Sequence, residues 1–86
     1  MISLANEDFW SCYAQLSEAM QNATREAHAR FMENPGHPSL RFKKLAGSRN
    51  LWSARVSDDF RVVGIRSGET ITWFFVGSHK TFDQRF

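Results

Sequence analysis

The segment from residue 51 to residue 79 constrains the fold of this chain more than any other, because it holds three strand-like runs joined by two short turns. The first run, 51–57, alternates apolar and polar residues with the period of two that a half-buried strand requires. The second run, 60–66, is rich in β-branched residues. The third run, 70–76, is apolar on both faces and is therefore expected in the centre of a sheet.

The acidic turn between the first two runs predicts how they pair. In a tight hairpin, Val56 faces Arg61 and Arg55 faces Val62. Arg55 and Arg61 then point to opposite faces of the sheet. A bulge or a longer turn would change this pairing, and the sequence leaves both registers open.

Two helices are predicted ahead of the strands. Asn6 is suited to cap the first helix, which runs to about Leu16 with apolar residues three and four positions apart. The second helix spans 18–33 and ends before a segment that contains two prolines. This order predicts an α+β fold of two layers, in which a two-helix hairpin packs on one face of a small antiparallel sheet. The other face of the sheet is expected to be open.

The remaining segments give weaker patterns. Residues 2–4 are either a short edge strand or an ordered lead-in, and the basic segment 39–45 is either an extended linker or an irregular edge strand. Residues 46–50 are expected to form a turn. The tail after His79 is expected to fold one helical turn against the sheet.

Length and composition limit the class of protein. The 86 residues predict a single domain, 1–86, and the one cysteine excludes an internal disulfide bond. No apolar run approaches the ~20 residues that span a bilayer, and the first residues lack the pattern of a signal peptide. We therefore expect a cytoplasmic protein that does not associate with membranes.

Charge is distributed unevenly along the chain. Residues 1–40 hold two bases and five acids, a net charge of −3, whereas residues 41–86 hold nine bases and four acids, a net charge of +5. This asymmetry predicts a basic face that binds phosphate, RNA or an acidic protein segment. A solvated surface of mixed charge is the alternative, and charge by itself does not decide between them.

The candidate residues for chemistry are basic. Cleavage of RNA needs a group that removes the 2′-hydroxyl proton, cations that stabilise the phosphorane, and an acid for the departing 5′-oxygen. Arginine forks match phosphate oxygens, and histidine titrates near neutral pH. The three histidines show no ligand spacing, so we expect no metal and no cofactor. The alternative is structural: His79 ends a strand, and Arg55 pairs with one of the nearby aspartates.

Three motifs carry a resemblance to a known family. The runs HPSLRFKKL, LWSARVSDDFRVVGIR and ITWFFVGSH resemble the RelE/ParE superfamily of toxins from bacterial type II toxin–antitoxin systems. The opening FWxCYxxL is similar to one branch of these proteins, so the resemblance covers nearly the whole chain. It implies a compact α+β fold with two helices on a small antiparallel sheet.

The resemblance also implies a function. Some members cut messenger RNA on the ribosome, using arginines, lysines and a histidine or tyrosine, and others inhibit DNA gyrase. Both kinds are neutralised by a cognate antitoxin. The expected partners are therefore an antitoxin and either the ribosome with its mRNA or gyrase, and a degenerate toxin that binds only its antitoxin is a further alternative.

Residue by residue, the resemblance gives Arg61 the role of phosphate contact and His79 that of proton transfer. The predicted catalytic residues are Arg61, His79 and Arg55, and the predicted RNA-binding residues are Lys43, Lys44, Arg41 and Lys80. This sequence departs from many of the nucleases at its tail. Phe82 stands where they have a tyrosine, and a phenylalanine cannot transfer a proton.

Overall fold

The structure is a computed structural model that describes residues 1–47 and 50–86. Residues 48 and 49 of the predicted turn lie outside the described residues. The described elements, in chain order, are β1 (Ile2–Ala5), α1 (Glu7–Ala14), α2 (Glu18–Glu33), a 3₁₀ turn (Pro38–Leu40), β2 (Lys43–Lys44), β3 (Leu51–Ser57), β4 (Phe60–Ser67), β5 (Thr70–Ser78) and α3 (His79–Arg85).

The strands form one five-stranded sheet in the order β1-β5-β4-β3-β2. Strands β2 to β5 pair with their neighbours in antiparallel fashion, and β1 pairs with β5 in parallel. The predicted α+β class is therefore confirmed, and β1 adds one parallel strand to the antiparallel sheet. Strand β5 lies between two others, as its two apolar faces predict.

Side-chain caps explain where the two long helices begin. The Asn6 side chain accepts a hydrogen bond of 3.0 Å from the backbone N–H of Phe9, and the Ser17 hydroxyl accepts one of 3.2 Å from Met20. These bonds satisfy amides that have no partner inside the helix. Helix α2 has the predicted bounds, whereas α1 ends at Ala14, two residues before the predicted end.

The main core lies between the helices and one face of the sheet, which we call the helix face. Helix α2 contributes Ala27 and Phe31, and the Phe31 ring lies edge-on to Trp73 with centroids 5.4 Å apart. Thr24 is also buried on α2, and its hydroxyl donates a 2.7 Å hydrogen bond to the Met20 carbonyl, which satisfies this buried polar group. The sheet contributes Ala54, Val56, Val62, Ile71, Trp73 and Val76.

The second face of the sheet is covered over part of its area, so the prediction of an open face is wrong for that part and correct around Ile65, which is 50% exposed. Helix α3 lies against it, with the Phe86 ring 5.3 Å from Phe75 and the Arg85 guanidinium 4.9 Å above the same ring. Val63 and Phe75 on this face are at most 2% exposed, so they need a cover that the strands alone do not supply. The tail therefore forms a two-turn helix rather than the predicted single turn.

No helix in residues 1–47 and 50–86 combines the length and the apolar character that crossing a membrane requires.

Candidate functional site

A bulge in β3 decides where the two predicted arginines point. Ser57 pairs with Phe60, but the next pair is Arg55 with Arg61, so Val56 is an extra residue in β3. The Val56 side chain enters the core and is 7% exposed. The tight register predicted from the sequence is therefore wrong, and the bulged alternative is correct. Arg55 and Arg61 are direct cross-strand partners on one face.

Two like charges opposite each other on neighbouring strands destabilise a sheet. One of the two, Arg55, forms an ion pair with Asp58, whose side chain is 85% exposed. An ion pair this exposed contributes little free energy. The repulsion between Arg55 and Arg61 is therefore offset only in part by the turn that joins their strands.

Arg61 is fixed by the same turn. Its Nη1 donates hydrogen bonds to the carbonyls of Ser57 (2.8 Å), Phe60 (3.1 Å) and Asp58 (3.4 Å). Desolvation by burial lowers the pKa of Arg61 below its ordinary value, and the charges of Arg55 and Arg41 lower that pKa further. Asp83 and Asp59 act in the opposite direction with smaller effects. The Arg61 guanidinium thus lies in a region of excess positive charge.

His79 begins helix α3 at the same end of the sheet. Its backbone N–H donates a hydrogen bond to the Asp59 carbonyl in the β3–β4 turn. Its ring Nε2 lies 3.0 Å from the Asp83 carboxylate, one helical turn further along α3. Asp83 is also close enough to Arg61 to affect the pKa of its guanidinium. The His79–Asp83 pair and Arg61 therefore share one neighbourhood.

Arg41 also belongs to this neighbourhood, and its backbone conformation is unusual. It follows the 3₁₀ turn with φ of 46°, in the left-handed region that residues other than glycine seldom adopt. Its charge acts on Arg61, although the two residues are far apart in sequence. We call Arg41, Arg55 and Arg61 the arginine cluster.

The predicted lysines lie around the cluster rather than in it. Lys43 pairs with Ser53, two residues before Arg55, and so lies on the second face with the arginine cluster. Lys44 pairs with Trp52 and lies on the helix face. Lys80 is exposed in the first turn of α3. Of the four predicted RNA-binding residues, Lys43 and Lys80 thus lie at the rim of the site. Lys44 lies on the opposite face of the sheet.

A cavity lies elsewhere in the part of the chain that the structure describes. An apolar groove of about 720 Å³ opens between β1, α1, α2 and the helix face of the sheet. Exposed Leu4 and Trp10 stand at its mouth, and none of the predicted site residues lines it. Because its walls are largely apolar, the groove is unsuited to a phosphate, and we place the candidate site at the arginine cluster.

Comparisons with known proteins decide the family. Residues 18–84 match the family model described as the ParE-like toxin domain. The chain belongs to the ParE-like toxin family. It is therefore the toxin component of a type II toxin–antitoxin system, as the sequence motifs predict.

Solved structures of toxins share the fold of this ParE-like toxin. The RelB-RelE antitoxin-toxin complex of Methanococcus jannaschii aligns over 96% of this chain and 98% of the other, with a TM-score of 0.77 and 17% identity. YafQ of E. coli aligns over 93% and 94%, with a TM-score of 0.75 and 12% identity. The YoeB/ParE toxin of Agrobacterium tumefaciens aligns over 92% of this chain and 99% of the other, with a TM-score of 0.68 and 17% identity. No curated protein sequence matches the chain at a significant level.

Asp83 contacts His79 and is not among the site residues predicted from the sequence. The signal was present, since residues four apart on a helix lie side by side and His79 and Asp83 have that spacing. Phe82, the residue at the tyrosine position, lies between them in sequence, with its ring 6.2 Å from that of His79.

Proposed function

We propose that this toxin is a ribosome-dependent endoribonuclease that cleaves messenger RNA and thereby blocks translation. The observation that carries the proposal is the pairing of Arg55 with Arg61 on one face, beside a histidine that is held by a carboxylate. Arginine forks bind phosphate oxygens, and an imidazole transfers protons near neutral pH.

The cleavage step assigns a role to each residue. The His79 ring accepts the proton of the ribose 2′-hydroxyl, and the 2′-oxygen attacks the adjacent phosphorus. Arg61 and Arg55 stabilise the extra negative charge of the phosphorane. The bond from phosphorus to the 5′-oxygen then breaks, and that oxygen takes a proton from water. The products are a 2′,3′-cyclic phosphate and a free 5′-hydroxyl.

The electrostatics of the arginine cluster support phosphate binding. Three guanidinium groups repel one another in the free protein, and this repulsion contributes to the lowered pKa of Arg61. A phosphate placed between them replaces repulsion with attraction, so binding is favoured most where the charge is least compensated. Asp83 orients the His79 imidazole through Nε2 and stabilises its protonated form after the first proton transfer.

The proposed partners follow from the same assignment. The ribosome presents the mRNA, and a cognate antitoxin protein neutralises the toxin. The M. jannaschii relative is a complex of this kind, since it contains the antitoxin RelB together with RelE. Lys43, Lys80 and the arginine cluster supply the basic surface on which RNA would lie.

A second candidate function is a toxin without nuclease activity, which inhibits DNA gyrase or only binds its antitoxin. One observation favours it, since each of the three predicted catalytic residues has a partner within the chain. Arg55 pairs with Asp58, and Arg61 donates to three carbonyls of the turn. His79 contacts Asp83. These contacts also suit residues that only stabilise the β3–β4 turn and α3. The match to a ParE-like family model is in keeping with this alternative.

Expression in bacteria separates the two functions. The wild type, Arg61→Ala and His79→Gln are induced, and the 5′ ends of translated mRNAs are mapped. We expect new ends within coding regions for the wild type and a loss of about 10²- to 10³-fold in cleavage for each variant. His28→Gln is the matched control, because His28 is an exposed histidine on α2, far along the chain from the cluster.

Two results contradict the nuclease, and a third contradicts the proposed active site. Growth arrest with intact mRNA and accumulated cleaved DNA identifies a gyrase inhibitor. Absence of toxicity identifies a protein that only binds its antitoxin. Cleavage that persists in both site variants places the active site elsewhere.

A further inference from the structure

An arginine lies on two aromatic rings at one end of the sheet. The Arg66 guanidinium carbon is 4.5 Å from the centre of the Trp52 ring and 5.9 Å from that of Phe42. The two rings are 4.8 Å apart and inclined by 33°. All three side chains are half-buried on the helix face. We call this layer of Phe42, Trp52 and Arg66 the aromatic shelf.

The orientation of Arg66 is fixed by its own turn. Its Nε donates a 3.1 Å hydrogen bond to the carbonyl of Gly68, a residue whose φ of 59° turns the chain between β4 and β5. One face of the guanidinium plane covers the rings. Within residues 1–47 and 50–86, the ion pairs formed are Arg55–Asp58 and His79–Asp83, so neither Arg66 nor Lys44 has a carboxylate partner there.

A basic edge connects the aromatic shelf to the arginine cluster. Strand β2 is the last strand of the sheet, and both its residues are exposed lysines. Lys43 lies on the face of the arginine cluster, and Lys44 lies on the face of the shelf, opposite Trp52. Directly paired residues have Cβ atoms about 5 Å apart, so the Lys44 stem starts beside the indole.

We infer that the aromatic shelf is a base-stacking site for single-stranded RNA, whose phosphates Lys43 and Lys44 neutralise as the strand passes around the sheet edge. Unstacked bases bind to aromatic rings and to guanidinium planes, and any base can stack because each has a π face. This inference rests on the proposed function, since the RNA is the strand that the arginine cluster cleaves. It adds a contact for a nucleotide away from the scissile phosphate.

If Arg66 has a purely structural role, its replacement should not change the affinity for RNA, because a long side chain often covers aromatic surface without binding a ligand. The measurement is binding of a single-stranded RNA with 2′-O-methyl riboses, which cannot be cleaved through the 2′-oxygen. Fluorescence anisotropy gives the affinity at several salt concentrations. We expect Arg66→Ala to weaken binding about tenfold, the loss of one stacked base.

Arg66→Lys distinguishes stacking from charge and guards against loss of folding in the alanine variant. It keeps the charge but not the plane, so we expect weaker binding with an unchanged salt dependence. Lys44→Ala should instead flatten the salt dependence. The matched control is Arg25→Lys, an exposed arginine that contacts the Tyr13 hydroxyl on the helical layer. Its RNA affinity should stay within twofold of the wild type.

Tryptophan fluorescence locates the stacked base. RNA should quench emission in Trp10→Phe, which retains Trp52, but not in Trp52→Phe, which retains the 54% exposed Trp10. If Arg66 variants bind RNA like the wild type while Arg61→Ala binds weakly, the stacking role of the aromatic shelf is contradicted and the proposed function is not. If the shelf variants weaken RNA binding but mRNA is never cleaved, the stacking role is supported and the nuclease activity is contradicted. If the wild type does not bind RNA at low salt, the stacking role is contradicted.

Discussion

The two faces of the sheet are built from alternate residues of the same strands, yet they differ in almost every physical respect. The helix face buries Phe31, Trp73 and Ile71 in a continuous apolar layer. The second face holds the Arg55–Arg61 pair at one end and the buried Val63 and Phe75 beside it under a short helix. Both faces bury apolar side chains, and the second face also places two like charges opposite each other.

This difference teaches where a substitution should act on stability and where on activity. Groups on the helix face gain free energy from burial in proportion to the apolar area removed from water. Groups in the arginine cluster raise the free energy of the free protein, because they repel one another. Residues that are unfavourable for folding but held in place by their surroundings are candidates for function.

The largest expected effect is on the helix face. Phe31→Ala removes a ring that is 2% exposed and packs on Trp73 and Phe42, so we expect a loss of about 3–5 kcal/mol in the free energy of unfolding. Urea denaturation measures it. The comparison is Phe86→Ala under the second face, where the ring is 41% exposed and the loss should be below about 1 kcal/mol. Equal losses would show that the two faces do not divide stability as proposed.

The parts of the fold that the sequence predicts are those set by local patterns. Helix α2 and strand β3 have the predicted bounds, because capping by Ser17 and alternation along β3 are read from neighbouring residues. The second face was predicted poorly because its structure depends on packing between residues that are far apart in the sequence. The Val56 side chain at the bulge is buried in the core, and Phe86 at the end of α3 packs against the buried Phe75.

The candidate site was predicted in its residue types and only in part in its geometry. Arg61 pairs with Gly77, two residues before His79, so both lie at the same end of the sheet, whereas Arg41 adopts a left-handed backbone conformation after the 3₁₀ turn. Nothing in the local sequence specifies that conformation, because any residue type other than glycine disfavours it. The pairing of Arg55 with Arg61 likewise depends on one extra residue in a strand.

The next effect tests whether the second face acts through orientation of His79. Asp83→Asn keeps the size of the side chain and removes its charge, so the imidazole loses the carboxylate that stabilises its protonated form. We expect kcat for mRNA cleavage on purified ribosomes to fall about tenfold while KM stays within twofold, because Asp83 does not contact the phosphate. A rise in KM at constant kcat would instead show that Asp83 organises the RNA-binding surface.

The smallest effect separates charge balance from stability within the second face. Asp58→Ala removes the carboxylate that pairs with Arg55, and because this carboxylate is 85% exposed the free energy of unfolding should change by less than about 1 kcal/mol. The uncompensated charge of the arginine cluster increases, so RNA should bind about two- to threefold more tightly at low salt and equally at high salt. Urea denaturation and anisotropy on the same preparation measure both quantities.

Asp8→Ala is the control for a general change in net charge, because Asp8 is an exposed carboxylate in the first turn of α1. Equal tightening in both variants would mean that overall charge, and not the arginine cluster, attracts the RNA.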